Sequence, residues 1–200
     1  MPHLTANVKR SAAFIVLSLV AGAAAAHTGH GTSGLVEGLE HPFGLDHLLA
    51  MVAVGVWSVS ALPTHKAWWG PSTFMTALVI SAGVGAAGVT VPYIENLVSL
   101  SVVLFGVMLM LSKVKLPTFV GLGLIAVAAS LHGLAHGSEA PETGFLAYAV
   151  GFLMTTATLH FGGVAAGLGL RRFFATKASL LVQFFGLICS GAGIYLFSQI

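Results

Sequence analysis

Residues 116–139 read LPTFVGLGLIAVAASLHGLAHGSE. The first fifteen of these residues carry no charge and are nearly all apolar, which is typical of a helix in a lipid bilayer. The last nine place His132, His136 and Glu139 at positions i, i+4 and i+7, within an arc of about 60° on one helix face. Ionisable side chains at membrane depth are costly, so this face predicts a functional site.

The whole chain has the composition of an integral membrane protein. Of its 200 residues, 56% are hydrophobic and 7% are charged, whereas about a quarter of the residues of a soluble domain are charged. The mean hydropathy is +0.95. These values exclude a soluble globular protein and leave room for a handful of spans of about 20 residues each. We expect no separate soluble domain and no nucleic-acid partner.

The first 26 residues are typical of a cleaved signal peptide. Lys9 and Arg10 form a basic segment, an apolar run follows from Ser11, and alanines occupy positions 24–26. The predicted mature domain therefore covers residues 27–200. The alternative is an uncleaved first helix, which is the weaker hypothesis because the apolar run is short for a span.

Six further apolar segments predict an all-α fold, a polytopic bundle of six transmembrane helices. The segments cover residues 40–61, 68–90, 93–112, 117–138, 143–170 and 177–198, and Pro, Gly and charged residues separate them. The connecting loops are short, so we expect successive helices to be antiparallel neighbours.

Loop charges predict the orientation of this bundle. Basic residues follow the first, third and fifth spans: Lys66, Lys113, Lys115, Arg171, Arg172 and Lys177. Acidic residues lie at the opposite ends: Glu37, Glu40, Glu95, Glu139 and Glu142. Because Lys and Arg are retained on the cytoplasmic side, we expect a bacterial inner-membrane protein with both mature termini in the periplasm.

A second polar motif, HPFGLDH, opens the first mature span at His41. Pro42 and Gly44 disfavour an ordinary helix here, and Asp46 and His47 stand where the helix should begin. Asp46 could be a helix N-cap and His41 a surface residue. In the predicted topology, however, this motif lies on the same side of the membrane as the HGSE end of the fourth span.

The topology therefore brings six protonatable side chains to one depth: His41, Asp46, His47, His132, His136 and Glu139. Imidazole and carboxylate without thiolate favour a borderline divalent cation such as Ni²⁺, Co²⁺ or Zn²⁺. Cys189 is the one cysteine in the chain, and we expect it to be a packing residue of the last span.

His160 stands apart, because it lies about 25 Å along a helix from the outer end of the fifth span. Two hypotheses are open for this residue. It forms a second, deeper metal station beside Thr155, Thr156 and Thr158, or it is a core histidine hydrogen-bonded to a neighbouring helix. In neither case do we expect it to share the outer site.

The segments HPFGLDHLLAMVAVGVW, LHGLAHGSE and TLHFGG resemble the signature segments of the HupE/UreJ family, and the similarity spans essentially the whole mature chain. The resemblance implies a nickel or cobalt permease that serves hydrogenase or urease maturation. The six side chains given above would be its metal residues. The family pattern usually has five residues between the first His and the Asp, whereas this chain has four, so His41 is the least expected ligand. No permanent cofactor is implied, because the metal ion is the transported substrate.

We therefore expect a permease that moves Ni²⁺, or else Co²⁺, from the periplasm toward the cytoplasm, with the metal ion and the bilayer as its partners. One rival is an intramembrane zinc hydrolase with Glu139 or Asp46 as general base, but no HExxH motif is present. The other is a haem protein in which His132 or His136 pairs with His160. The different depths of these histidines disfavour a shared haem. The sequence does not determine the oligomeric state.

Overall fold

The computed structural model describes residues 34–114, 116–141 and 143–200. The regular elements in these ranges are all helical: α1 (Leu35–Glu40), α2 (Leu45–Ala61), α3 (Trp69–Ala86), α4 (Ile94–Met110), α5 (Thr118–Ser138), α6 (Phe145–Phe173) and α7 (Ala178–Phe197). Two 3₁₀ helices, His41–Phe43 and Thr64–Lys66, flank α2. The predicted signal peptide, Lys115 and Glu142 lie outside the described residues.

Each predicted apolar segment coincides with one of the helices α2 to α7. The largest boundary difference at a carboxyl-terminal end is at α3, which ends at Ala86, four residues before the predicted end at 90. Three helices, α5 to α7, are long and apolar enough to cross a membrane, and α1 with α2 adds a fourth if this bent pair is one span. The all-helical membrane class is therefore confirmed, and the number of six spans stays a prediction.

Helix α2 lies at the centre of the bundle. Of its 17 residues, 11 are buried, and it packs against α3, α4, α6 and α7. After the first turn its sequence is apolar apart from Ser58 and Ser60 near the end, which suits a helix that other helices surround. The last three residues of the HPFGLDH motif form the start of this central helix, so the motif leads into the middle of the bundle.

The main packing partners of the helices are not their neighbours in sequence. The most extensive interfaces pair α3 with α5, α4 with α7 and α2 with α6, so our expectation that successive helices are neighbours is wrong for these interfaces. A Cβ added at Gly137 of α5 would overlap the backbone of Ala82 in α3, and one at Gly163 of α6 would overlap that of Val52 in α2. In lipid, close backbone approach at small residues holds helices together, so glycines rather than loop lengths select the partners.

The chain bends by 73° between α1 with its 3₁₀ turn and α2. The bend occurs at Gly44, whose extended backbone (φ −50°, ψ 140°) interrupts the helical path. Before the bend, α1 rests on α6, because Gly38 leaves room for the backbone of Tyr148. The result is that His41 folds back over the start of α2, with its ring centroid 5.6 Å from that of His47.

Candidate metal centre

Three imidazole rings meet where α2 begins and α5 ends. His41, His47 and His136 each offer a ring nitrogen, and these nitrogens lie within 4.8 Å of one another. The ring centroids are 4.5 Å apart for His47 and His136 and 4.7 Å apart for His41 and His136. Because metal–imidazole bonds are about 2.0–2.1 Å long, one ion can reach all three nitrogens after small adjustments of the rings. We call this set the three-histidine group.

Within this group, the Nε2 atoms of His47 and His136 face each other in direct contact. On the opposite side of the His47 ring, Oδ1 of Asp46 lies 2.6 Å from Nδ1. An ionised carboxylate only accepts hydrogen bonds, so a neutral His47 ring beside Asp46 carries its hydrogen on Nδ1. The lone pair is then on Nε2, which faces His136. Metal-binding histidines commonly have a carboxylate in this position, because it fixes the ring's orientation and tautomer.

The local sequence explains how these side chains come together. Asp46 lies in the first turn of α2, where the free backbone N–H groups of a helix favour negative charge. Gly44 leaves space for the side chains of Asp46 and His47, because a Cβ at Gly44 would lie 3.0 Å from Oδ1 of Asp46 and 3.7 Å from Nδ1 of His47. On α5, Gly133 and Gly137 pack against the backbone of α3. These contacts fix the last turns of α5 and with them His136.

A cavity of about 180 Å³ opens onto the three-histidine group. Its lining includes Asp46, Glu139 and Glu95. Both glutamates are exposed, whereas His47 and His136 are buried, so carboxylates surround the mouth and imidazoles form the floor. Glu95, in the first turn of α4, was absent from the predicted site. Its position at a helix end on the same side as Glu139 was the signal that could have found it.

His132 lies one turn deeper on α5 and is fully buried. Its ring centroid is 5.0 Å from that of His47, but its Nε2 lies 2.8 Å from Oγ of Ser101 on α4. The six predicted side chains therefore occupy three positions: the three-histidine group, the cavity with Asp46 and Glu139, and His132 behind the group.

His160 of α6 is also fully buried and lies outside the three-histidine group. Its Nδ1 is 2.8 Å from the carbonyl oxygen of Thr156, so the ring bonds to its own helix. Of the two hypotheses for His160, the bond to a neighbouring helix is therefore wrong. Phe74 of α3 contacts both deep rings, at 5.6 Å from His132 and 4.6 Å from His160 between centroids. The two histidines are thus closer than residue counting along α6 suggested, because that counting assumes helices that start at one level.

Comparison with known proteins identifies the family of this chain. The family described as HupE / UreJ protein matches residues 15–196. Protein HupE of Rhizobium leguminosarum bv. viciae is 40% identical over 150 residues, which cover 74% of this chain and 76% of that protein. No solved structure matches the chain. The family match includes every residue of the three-histidine group and its cavity, and the chain belongs to the HupE/UreJ family.

Proposed function

We propose that this chain is a six-helix permease of the bacterial inner membrane that moves Ni²⁺, with Co²⁺ as the alternative ion, from the periplasm toward the cytoplasm. The observation that carries this proposal is the set of three histidine nitrogens within 4.8 Å of one another in a bundle of apolar helices. Imidazole nitrogen suits borderline divalent ions of this kind. Membership of the HupE/UreJ family supports nickel or cobalt uptake for hydrogenase or urease maturation.

Each part of the site has a task in this proposal. The exposed carboxylates Glu95 and Glu139 at the cavity mouth raise the local concentration of cations. The three-histidine group then replaces part of the hydration shell of the ion. Asp46 holds the His47 ring so that Nε2 faces the ion. The ion leaves this position when helix movement opens a path inward.

The proposed topology has six spans, a cleaved signal peptide over residues 1–26 and both mature termini in the periplasm. The shortest helices of the proposed spans, α2 and α4, have 17 residues each and extend over about 26 Å, close to the thickness of the hydrocarbon core. The positive-inside rule supports the orientation, because Lys113 and Arg171 line a cavity at the end of α2 opposite to Glu95 and Glu139.

The membrane potential is a sufficient driving force for this transport. A doubly charged ion gains about 4.6 kcal/mol from a potential of about 100 mV. This free energy corresponds to an accumulation ratio of about two thousand. The chain contains no GxxxxGK[ST] phosphate-binding motif, so the proposal does not invoke ATP hydrolysis by this protein.

The two rival functions gain no support. The family match supports a transporter and gives nothing in favour of the zinc hydrolase. The family match likewise gives nothing in favour of a haem protein.

Uptake of radioactive Ni²⁺ and Co²⁺ into cells that carry the wild type or His47→Ala tests the proposal. We expect uptake by the wild type and loss of uptake in the variant. His65→Ala is the matched control, because His65 is exposed in the 3₁₀ turn Thr64–Lys66, far from the cavity. If cells with the wild type and cells with His47→Ala take up the metal equally, and both take up more than cells without the protein, the proposed site is wrong.

A further inference from the structure

Two imidazoles lie behind the three-histidine group and take no part in it. His132 on α5 and His160 on α6 both have a relative exposure of 0%. Burying an imidazole without satisfying its polar atoms costs free energy, so such rings need an explanation. The hydrogen bonds of each ring determine which nitrogen carries its proton, and this assignment shows what each ring can bind.

On His160, Nδ1 lies 2.8 Å from the carbonyl oxygen of Thr156. A carbonyl only accepts hydrogen bonds, so the neutral ring has its hydrogen on Nδ1 and its lone pair on Nε2. Among the described residues, that Nε2 has no hydrogen-bond partner. The ring therefore holds a buried, unoccupied lone pair.

On His132, a chain of two hydrogen bonds leads to the same result. The hydroxyl of Ser101 donates to the carbonyl oxygen of Val98 at 2.6 Å. Because a serine hydroxyl has a single hydrogen, Oγ can only accept from Nε2 of His132, which lies 2.8 Å away. The lone pair of His132 is consequently on Nδ1, and within the described part of the chain this atom also has no hydrogen-bond partner.

A third unsatisfied atom lies on the same turn as His160. The hydroxyl oxygen of Thr156 is buried, and no partner for it occurs in the described ranges. The ring of Phe74 contacts both His132 and His160. The ring of His132 in turn lies 5.0 Å, between centroids, from that of His47 in the three-histidine group. The unsatisfied atoms thus continue inward from the proposed site.

We propose that His132, His160 and Thr156 form a second station for the transported divalent ion, deeper in the bundle than the three-histidine group. The inference rests on the proposed function and adds an inner position to it. A histidine that only fills space in the core needs no particular tautomer. Two buried rings that each donate one hydrogen bond, His160 to the Thr156 carbonyl and His132 to Oγ of Ser101, and keep a free lone pair on the other nitrogen have the arrangement of metal-binding histidines.

Nickel binding to the purified full-length protein tests this proposal. Equilibrium dialysis with radioactive Ni²⁺ at neutral pH should show that His160→Gln binds about one ion per chain fewer than the wild type, while the affinity of the remaining outer ion stays within about twofold. Glutamine keeps an N–H donor for the Thr156 carbonyl but lacks a ring nitrogen lone pair. Circular dichroism and size-exclusion chromatography check that the variant is folded.

Two further variants make the result decisive. His132→Gln should remove the same deep ion, because its amide can still donate to Oγ of Ser101. It also provides the test if His160→Gln does not fold. His65→Gln removes an exposed histidine and should bind as many ions as the wild type.

The outcomes separate the two proposals. If His160→Gln and His132→Gln bind as many ions as the wild type with the same affinities, the deeper station is refuted, although loss of binding in His47→Ala would still support the outer site. If His47→Ala, His132→Gln and His160→Gln all bind Ni²⁺ as the wild type does, both proposals are wrong.

Discussion

At the end of the bundle where α2 begins, three histidines and three carboxylates share a cavity of about 180 Å³. At the end where α2 terminates, Lys113 and Arg171 line a cavity of about 240 Å³ together with three serines. The same apolar helix connects the two ends, so the contrast lies in the residues at the helix termini. The carboxylates and imidazoles of one end would attract a cation, and the basic groups of the other end would repel it. Under the proposed function, the histidine end is therefore the side at which the ion would be captured.

Between the two ends, α2 and α6 are in direct backbone contact. A Cβ added at Gly55 would overlap the carbonyl of His160, and one at Gly163 would overlap the backbone of Val52. No ion can pass along this seam in the described arrangement. The α2–α6 seam is therefore closed, and passage of an ion along it would require the two helices to move apart.

The largest expected effect comes from breaking this central seam. Gly163→Val should force α2 and α6 apart, because the added side chain would meet the Val52 backbone, and overpacking of this kind costs about 1–3 kcal/mol or more. Gly162→Val is the matched control, since nothing lies within 4 Å of a Cβ at Gly162. The measurement is the yield of folded protein and its thermal unfolding in detergent. Equal stability of the two variants would contradict the described α2–α6 contact.

The next largest effect should come from removing a nitrogen of the three-histidine group. His47→Ala should weaken Ni²⁺ binding by about 100-fold or more, because the variant loses one ligand and the residue that Asp46 orients. Isothermal titration of the purified protein measures this affinity. His65→Ala should bind as the wild type does. An unchanged affinity in His47→Ala would mean that the ion binds elsewhere.

Acidification should weaken binding at the same end. Only the neutral imidazole binds metal, so protons compete with Ni²⁺. The affinity should therefore fall as the pH is lowered from 8 to 5. Equilibrium binding is the appropriate measurement, because proton coupling could raise uptake in acid while binding weakens. A flat affinity over this range would exclude histidine ligation.

Asp46 should have a smaller effect than the ring it orients. Asp46→Ala leaves all three imidazoles in place, so we expect Ni²⁺ affinity to fall by about tenfold. Because Asp46 acts through His47, the loss in Asp46→Ala with His47→Ala should be far less than the sum of the single losses. Additive losses in this double-mutant cycle would show that the two residues act independently.

The smallest effect should come from the charges at the cavity mouth. Glu95→Gln should slow Ni²⁺ association by about threefold at low salt, and the difference should shrink as salt screens the charge. Lys113→Gln, at the opposite end, should leave association unchanged. Stopped-flow measurement with a metal indicator gives these rates. Equal effects of the two variants would remove the functional contrast between the two ends.

The sequence by itself determined the class of the protein and the faces of its helices. Composition required membrane helices, and apolar runs separated by Pro, Gly and charge located α2 to α7 within a few residues. The i, i+4 spacing put His132 and His136 on one face. These features are local, because backbone hydrogen bonding within a segment forms the helix and its period fixes the face.

Only the tertiary structure decided which histidines meet. His41 was the least expected ligand, yet the bend at Gly44 and the packing of α1 on α6 bring it into the three-histidine group. His132 shares a face with His136, yet Ser101 of another helix engages its Nε2. Such contacts depend on how closely two helices approach, which is set by small residues on both partners. A pattern within one segment carries no information about the segment that it will contact.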